Sequence, residues 1–266
     1  MNKKNFFLLL FSFIFYFVCS FYIFADATSA NKSKPDSKTE SKTNGAQILK
    51  KSDEKLIPGI CSYDLSLETI KKGESEGLQT FFGHKGGYDR NVIVVKEPKR
   101  MQGSAHLRKD QVIWSYHTTN HRLSKMAYQA VFMGTLLNYG DIMATELSID
   151  YNVDKTEVTA DNEYILTLTP KANHEGYGKI LVTIDKKSLL PKSRKYYALS
   201  GILLKECIIK KIEYASNNKL SYLEMDFFEP LKDRKTTVKF NNIQVKKADD
   251  IPEKFFNENF LGQIDK

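Results

Sequence analysis

The chain has 266 residues, with 40 lysines and arginines against 32 acids and a net charge of +8 at pH 7. This length allows one large domain or two small ones. Because the basic residues are spread along the chain and mixed with acids, and not gathered with aromatics into a stripe, we expect no nucleic-acid partner.

The N-terminus has the pattern of an export signal. A basic start at Lys3 and Lys4 precedes an almost unbroken apolar run over residues 6–24, which is typical of a secretory signal peptide. Small residues follow at Ala25 and Ala27, so we expect a signal peptide over residues 1–25. Two alternatives stay open: the run is nearly long enough to be an uncleaved membrane anchor, and Cys19 could be lipidated.

A polar segment separates this signal from the rest of the chain. Residues 26–44 are rich in Lys, Ser, Thr, Asp and Asn, and such a segment cannot bury enough apolar surface to fold. We therefore expect a disordered tether there and a folded domain over residues 45–266. A short helix near 46–56, stopped by Pro58 and Gly59, should open that domain.

Alternating apolar residues dominate the chain from Cys61 onward and predict about ten or eleven strands. Residues 84–87 predict one of the hairpin turns. Because the connections are short, neighbouring strands must be antiparallel, and the lack of strand–helix–strand alternation excludes a doubly wound fold. The predicted class is α+β, mainly antiparallel β. A sheet of this size curls towards a barrel or splits in two. Short helices near 46–56, 132–144 and 252–260 are available to cover its concave side.

The stretch from 103 to 144 contains the most informative apolar residues. Phe132, Leu136, Tyr139 and Met143 have helical spacing, which fits either an ordinary core helix or a lid over a lipid cavity. Methionine and aromatic side chains adapt to acyl chains of varied shape. The candidate residues for the cavity and its lid are Trp114, Tyr116, Phe132, Met133, Leu136, Leu137, Tyr139, Ile142 and Met143.

The sequence offers no constellation for catalysis. Phosphate-binding glycine loops, a nucleophile elbow and a CxxC pair are all missing. His117 and His121 are expected in an exposed turn and not at a metal. Ser104, His106 and Asp110 are close in sequence, but a triad is recognised by geometry and not by proximity along the chain. We therefore assign no catalytic residue, no metal and no cofactor, and expect no enzyme.

Two cysteines, Cys61 and Cys207, lie in predicted strands of the expected domain. An oxidising compartment permits a disulfide between them. Two buried thiols acting as small apolar residues are the alternative. The sequence leaves this open.

The ordered set of motifs from 98 to 191 resembles a known family. Its elements are Pro98, the run Arg100-x-x-Gly103-Ser104-Ala105-x-Leu107, Trp114-x-Tyr116, Gln129-x-x-Phe132-Met133-Gly134, Asp141-Ile142, Asp150-Tyr151, Tyr164-x-Leu166-x-Leu168-x-Pro170-Lys171 and Leu190-Pro191. Over residues 46–260 the chain resembles the LolA-like outer membrane lipoprotein-sorting proteins. It departs from them at Thr135-Leu136, where the family commonly has Ser-Asp.

The resemblance implies an incomplete, half-open antiparallel barrel with short helices as a lid over a hydrophobic cavity. It implies carriage of lipid or lipoprotein acyl chains in the periplasm by a protein that is either free or membrane-anchored, exchange with a membrane-bound donor or acceptor protein, and no catalysis. The alternative is a non-enzymatic envelope protein that uses the same half-barrel, with a packed apolar interior, as a protein-binding or structural module. A hydrolase on a β-scaffold is a third reading, for which the sequence offers no nucleophile–base pair.

Overall fold

The computed structural model describes residues 44–264, except residues 173 and 217. The predicted signal peptide, Cys19 and residues 26–43 of the predicted tether lie outside this range. Among the helices of residues 44–264, none is long and apolar enough to cross a membrane.

Thirteen strands form one sheet in the described part of the chain, and every neighbouring pair is antiparallel. The order is β6-β5-β4-β3-β2-β1-β13-β12-β11-β10-β9-β8-β7, so two meanders join where β1 pairs with β13. The strands are β1 Ile60–Lys71, β2 Glu74–Gly86, β3 Arg90–Glu97, β4 Ala105–Lys109, β5 Val112–His117, β6 Arg122–Met126, β7 Tyr151–Val158, β8 Glu163–Pro170, β9 Lys179–Asp185, β10 Pro191–Tyr197, β11 Leu203–Tyr214, β12 Leu220–Glu229 and β13 Arg234–Val245.

The mainly antiparallel class is confirmed, but the expected ten or eleven strands are too few. The two strands that the pattern does not reveal, β6 and β7, are the two edges of the open sheet. Their sequences, RLSKM and YNVDKTEV, are rich in charged and polar residues and mostly exposed. An edge strand buries little, and charged side chains there protect it from pairing with other chains, so the alternating pattern is weak.

The first helix, α1 (Gly45–Glu54), agrees with the prediction for residues 46–56, and the Asn44 side chain accepts a hydrogen bond from the Gln47 backbone N–H at 3.4 Å. The remaining α-helices are short: α2 spans Tyr139–Met143 and α3 spans Leu147–Asp150. Near the C-terminus, the predicted helix is instead a pair of 3₁₀ segments, Glu253–Phe256 and Glu258–Gln263. Two further 3₁₀ segments span Lys99–Met101 and Ala248–Asp250.

The predicted helix over residues 132–144 is wrong in its first half. Met133 and Gly134 have φ angles of 46° and 77°, in the left-handed region, so a right-handed helix cannot run through them. The Phe132 N–H instead donates to the Leu137 carbonyl oxygen at 2.7 Å, which closes a tight turn. Helical geometry begins at Tyr139, so the regular spacing of the apolar residues arises from a turn followed by one helical turn.

Two covering segments pack on opposite faces of the sheet. Residues 127–150, here called the strap, join α1 in one large apolar core with side chains from both meanders. Residues 251–264 pack in a smaller cluster against Val92, Val94, Ala105 and Leu107 on the other face. Strand alternation separates the two: Ile93 and Val95 face the strap, while Val92 and Val94 face the C-terminal segment.

Candidate functional site

The layer between the strap and the sheet is the main apolar interior. Phe132 at the centre of the strap is fully buried, with its ring 5.6 Å from Phe81 of β2 and 5.0 Å from Tyr139. Leu137 is also fully buried. Because these contacts already fill the layer, the strap is packed on the sheet in this structure.

Thr135 shapes the turn of the strap. Its hydroxyl donates to the Phe132 carbonyl oxygen at 2.8 Å and accepts from the Leu137 N–H at 3.1 Å. The guanidinium of Arg234, on β13, also donates to the Thr135 carbonyl oxygen at 3.3 Å. Thr135 therefore closes a turn here and does not cap a helix.

Buried ion pairs fasten the strap to three different strands. In each pair the strap supplies the acid and the sheet supplies the base. The pairs are Lys205–Asp141, with Nζ to Oδ2 at 2.6 Å, Arg108–Asp150, with an Nη to Oδ1 distance of 3.1 Å, and Lys85–Glu146. Each of these buried charges is paired, and removing one partner alone would leave the other charge buried and uncompensated.

The Asp141 carboxylate has partners besides its lysine. Besides Lys205, it accepts hydrogen bonds from the Tyr177 hydroxyl at 2.8 Å and from the Asn138 backbone N–H at 2.7 Å. Burial, with the Asp141 charge adding to it, raises the pKa of Tyr177 well above its usual value. Tyr177 is therefore a neutral donor that holds the carboxylate in place.

Little in the sequence points to the basic partners of these acids. The Lys85 position was predicted to lie in a hairpin turn, but it is inside β2, opposite Cys61 of β1. Lys205 and Cys207 alternate to the same buried face of β11, as His106 and Arg108 do on β4. An inward-facing base in an apolar pattern is the one signal that could have pointed to these residues.

A buried histidine, His106, is a second polar residue beneath the strap. His106 is fully buried, its Nδ1 lies 3.4 Å from the Tyr139 hydroxyl, and its ring centroid is 5.2 Å from that of Phe132. Burial, with His117 nearby as a smaller cause, lowers the pKa of His106 to about 3. A permanently neutral imidazole in an apolar layer does not act as a base near neutral pH.

The other residues considered for catalysis are not brought to His106. The Ser104 hydroxyl bonds to that of Thr118 at 3.0 Å, and Asp110 lies in the turn after β4. Within residues 44–264, no group of three or more His, Cys, Asp or Glu side chains could hold a metal ion. Ser104 and Asp110 therefore form no catalytic group with His106.

Cys61 and Cys207 are free thiols, and both are buried. Burial raises the pKa of Cys61 to about 11 and that of Cys207 to about 12. Of the two alternatives left by the sequence, the structure therefore has the buried thiols.

One pocket reaches the strap from solvent. It has a volume of about 240 Å³ and brings together Leu136, Tyr177 and the buried Lys205, with Val131 and Leu204 at its exposed margin. A larger open groove of about 470 Å³ lies at the other end of the sheet, between the end of α1 and the β9–β10 turn. Only the first of these two touches a residue of the predicted lid.

The comparisons with known proteins agree with this architecture. A LolA superfamily protein from Nitrosomonas europaea has a TM-score of 0.70 and 20% identity, over 80% of this chain and 97% of its own. The fold is LolA-like. A protein domain from Vibrio parahaemolyticus described as outer membrane lipoprotein-sorting matches with a TM-score of 0.69 and 18% identity, over 82% of this chain and 98% of its own. A DUF1329 family protein from Desulfovibrio piger matches with a TM-score of 0.69 and 19% identity, over 82% of this chain and 97% of its own.

The family assignment comes from a comparison of the sequence with family models. A family model described as "Uncharacterized protein" matches residues 87–263. The chain belongs to this family. No curated protein matches this chain.

Within the LolA-like fold, the nine candidate residues do not form one site. Seven of them lie in the strap and pack in the core between the strap and the sheet: Phe132, Met133, Leu136, Leu137, Tyr139, Ile142 and Met143. Trp114 and Tyr116 lie on the opposite face, because Ile113 and Ser115 are the inward residues of β5. Gly262 approaches Tyr116 so closely that a Cβ there would lie 2.7 Å from the tyrosine Cζ. These two aromatics anchor the C-terminal segment.

Proposed function

We propose that this chain is an exported periplasmic carrier that binds lipid or lipoprotein acyl chains, for outer-membrane lipoprotein sorting or lipid transport. The acyl chain would lie in a hydrophobic cavity between the strap and a sheet that serves as an incomplete barrel. The observation that carries the proposal is the continuous apolar layer under the strap, centred on Phe132 and Leu137. The predicted signal peptide supports export, and the LolA-like fold supports the carrier class.

Loading requires the strap to move. The pocket at Leu136 is smaller than the roughly 300 Å³ at which ligand pockets begin, so it serves as an entrance and not as the complete site. Burying an acyl chain contributes about 0.8 kcal/mol per methylene, which can offset the loss of strap contacts. The seven strap residues are the proposed lining, and Trp114 and Tyr116 would lie outside it. No step of this function needs a catalytic residue.

The main alternative has its own supporting observation. Phe132 and Leu137 are fully buried, and three buried ion pairs hold the strap down. Such packing also suits an envelope module whose interior is a plain core and whose outer surface binds proteins. The two functions differ in whether the interior ever admits a lipid.

A binding experiment separates them. The full chain is delipidated and titrated with a fluorescent fatty acid, next to Leu136→Glu and the matched control Ile208→Glu, which places the same charge on an exposed position of β11. The carrier function predicts binding by the wild type and the control and at least about tenfold weaker binding by Leu136→Glu, with unchanged circular dichroism. Mass spectrometry of solvent extracts should find co-purified acyl lipid. If the wild-type protein neither carries nor binds lipid, the carrier function is wrong and the structural module is the function that remains.

A further inference from the structure

Two hairpin tips at one end of the sheet expose large aliphatic side chains. Leu199, in the β10–β11 turn, is 89% exposed, and Leu231, in the β12–β13 turn, is 82% exposed. The pairing of Glu206 with Phe228 joins β11 to β12 and places both turns at the same end of neighbouring hairpins. Large apolar side chains exposed together at one end of a domain can mark an interaction site.

Further aliphatic residues extend this surface to the strap. Ile202 lies in the same turn as Leu199, Leu204 begins β11, and Val131 projects from the strap, all three exposed. Val131 and Leu204 also line the pocket at Leu136. We call these five residues the apolar rim: Val131, Leu199, Ile202, Leu204 and Leu231.

Basic residues surround the apolar rim. Lys72 follows β1 and its N–H donates to the Asp233 carbonyl oxygen in the β12–β13 turn, which places the β1–β2 turn beside Leu231. Lys71 and Lys72 are exposed, and the Lys179 ammonium lies 4.3 Å from the ring centroid of Tyr197, at the base of the Leu199 turn. Two acids at this end are paired, Glu229 with Lys232 at 2.6 Å and Glu76 with Arg234. Lys71, Lys72 and Lys179 outnumber the other two acids of these turns, Glu74 and Asp233.

This combination fits a lipid surface better than a folded protein. The aliphatic side chains project singly from separate turns, so a rigid partner would need a matched pocket for each, whereas a fluid bilayer accepts them at any position. Lysines beside them attract anionic headgroups. Aliphatic residues that enter the acyl boundary, with basic residues at headgroup level, are the pattern of interfacial membrane binding.

We infer that this end of the sheet docks on an anionic lipid bilayer, with Leu199, Ile202 and Leu231 entering the boundary between headgroups and acyl chains. Docking would point the pocket at Leu136 towards the lipid. The inference goes beyond acyl carriage, because the apolar rim can bind a bilayer whether or not the interior takes up a chain.

Tryptophan quenching tests the docking at single positions. Leu199→Trp and Leu231→Trp are prepared in the full chain and mixed with phosphatidylglycerol vesicles whose acyl chains are brominated. The control Val158→Trp is also exposed, but it lies at the opposite end of the sheet, where β7 meets the β7–β8 turn. Wild-type protein gives the contribution of Trp114. Because the quencher reports where each tryptophan sits, binding through the N-terminal apolar run does not imitate the result.

We expect the introduced tryptophans at positions 199 and 231 to be strongly quenched and the one at 158 to stay unquenched. Leu199→Glu combined with Leu231→Glu should reduce this vesicle contact at least about tenfold, since apolar burial is lost and charge repulsion is added. Equal quenching at all three positions, or none at 199 and 231, would overturn the inference and leave the apolar rim as a protein-binding surface. The fatty-acid titration in solution is a separate measurement, so either proposal can fail without the other.

Discussion

Lys205 Nζ lies 2.6 Å from Asp141 Oδ2, and their side chains are only 6% and 2% exposed. The same ammonium donates to the Leu136 carbonyl oxygen at 3.2 Å. One lysine of β11 therefore holds both the turn of the strap and the first residues after it. This contact links the packing of the strap to its position over the sheet.

Removing one member of this pair should be costly. Lys205→Met leaves the Asp141 carboxylate buried without its cation, and we expect the free energy of unfolding to fall by about 3–5 kcal/mol. Urea denaturation measures it. The control is Lys192→Met: Lys192 pairs with Glu163 at the same distance, but its side chain is half-exposed, so the loss should be below about 1 kcal/mol.

The double variant Lys205→Met/Asp141→Asn refines this test. With neither charge left, and with an amide oxygen still able to accept from Tyr177 or Asn138, most of the lost stability should return. A double variant as unstable as the sum of the single ones would mean that the two charges do not act as a pair.

Trp114 and Phe132 lie on opposite faces of the sheet. A substitution at Trp114 should therefore affect the C-terminal segment and not the layer under the strap. Trp114→Ala should loosen residues 251–264, seen as faster limited proteolysis there, and should leave fatty-acid binding unchanged. Loss of binding with the fold intact would show instead that the outer face of β5 takes part in lipid contact. Leu107→Ala is a useful companion, because Leu107 packs in the same cluster.

His106 should make the protein sensitive to mild acid. Its pKa is lowered from about 6.5 in the unfolded chain to about 3 in the folded state, chiefly by burial. Above pH 6.5 both states are neutral and the histidine contributes nothing. Below it, the unfolded state takes up a proton that the folded state does not, so stability falls by about 1.4 kcal/mol per pH unit until the pH approaches 3.

The change from pH 6.5 to 5 should therefore cost about 2 kcal/mol through this residue. His106→Gln should flatten the stability profile over that range by this amount, measured by urea titration at several pH values. The exposed His121→Gln serves as the control and should keep the wild-type slope. If His106→Gln keeps it too, another group causes the acid sensitivity.

The two thiols should be inert in the native protein. Because burial raises the pKa of Cys61 to about 11 and of Cys207 to about 12, little thiolate forms near neutral pH. Peptide mapping after native iodoacetamide treatment should find neither residue alkylated, and treatment in urea should label both. Native labelling of Cys207 would indicate that β11 opens locally.

The sequence predicted the central strands well and the strap poorly, for physical reasons. Alternation identified β1 through residues such as Leu65 and Leu67, because a strand with one buried face shows a period of two. It also showed that Trp114 and Tyr116 share a face, but not which segment covers that face. That depended on the C-terminal residues around Phe256, which are distant in sequence.

The strap illustrates the remaining limit. Its apolar spacing fitted a helix, yet Met133 and Gly134 adopt left-handed backbone angles and form a turn that buries Phe132 and Leu137 together. The pairs that fasten it, such as Lys85 with Glu146, join residues 61 positions apart. No local pattern specifies such a pair, since it depends on how the sheet brings distant strands under the strap.

The proposed carrier function rests on the strap opening to admit an acyl chain against the sheet. A fatty acid with a photoactivatable group at its methyl end, bound to the delipidated full chain and cross-linked, tests this directly when the modified peptides are mapped. We predict labels on the strap-facing surface, at residues near Phe81, Phe132 and Leu137. Labels confined to the opposite face around Trp114 and Phe256, or no saturable labelling, would contradict the function proposed for this LolA-like chain.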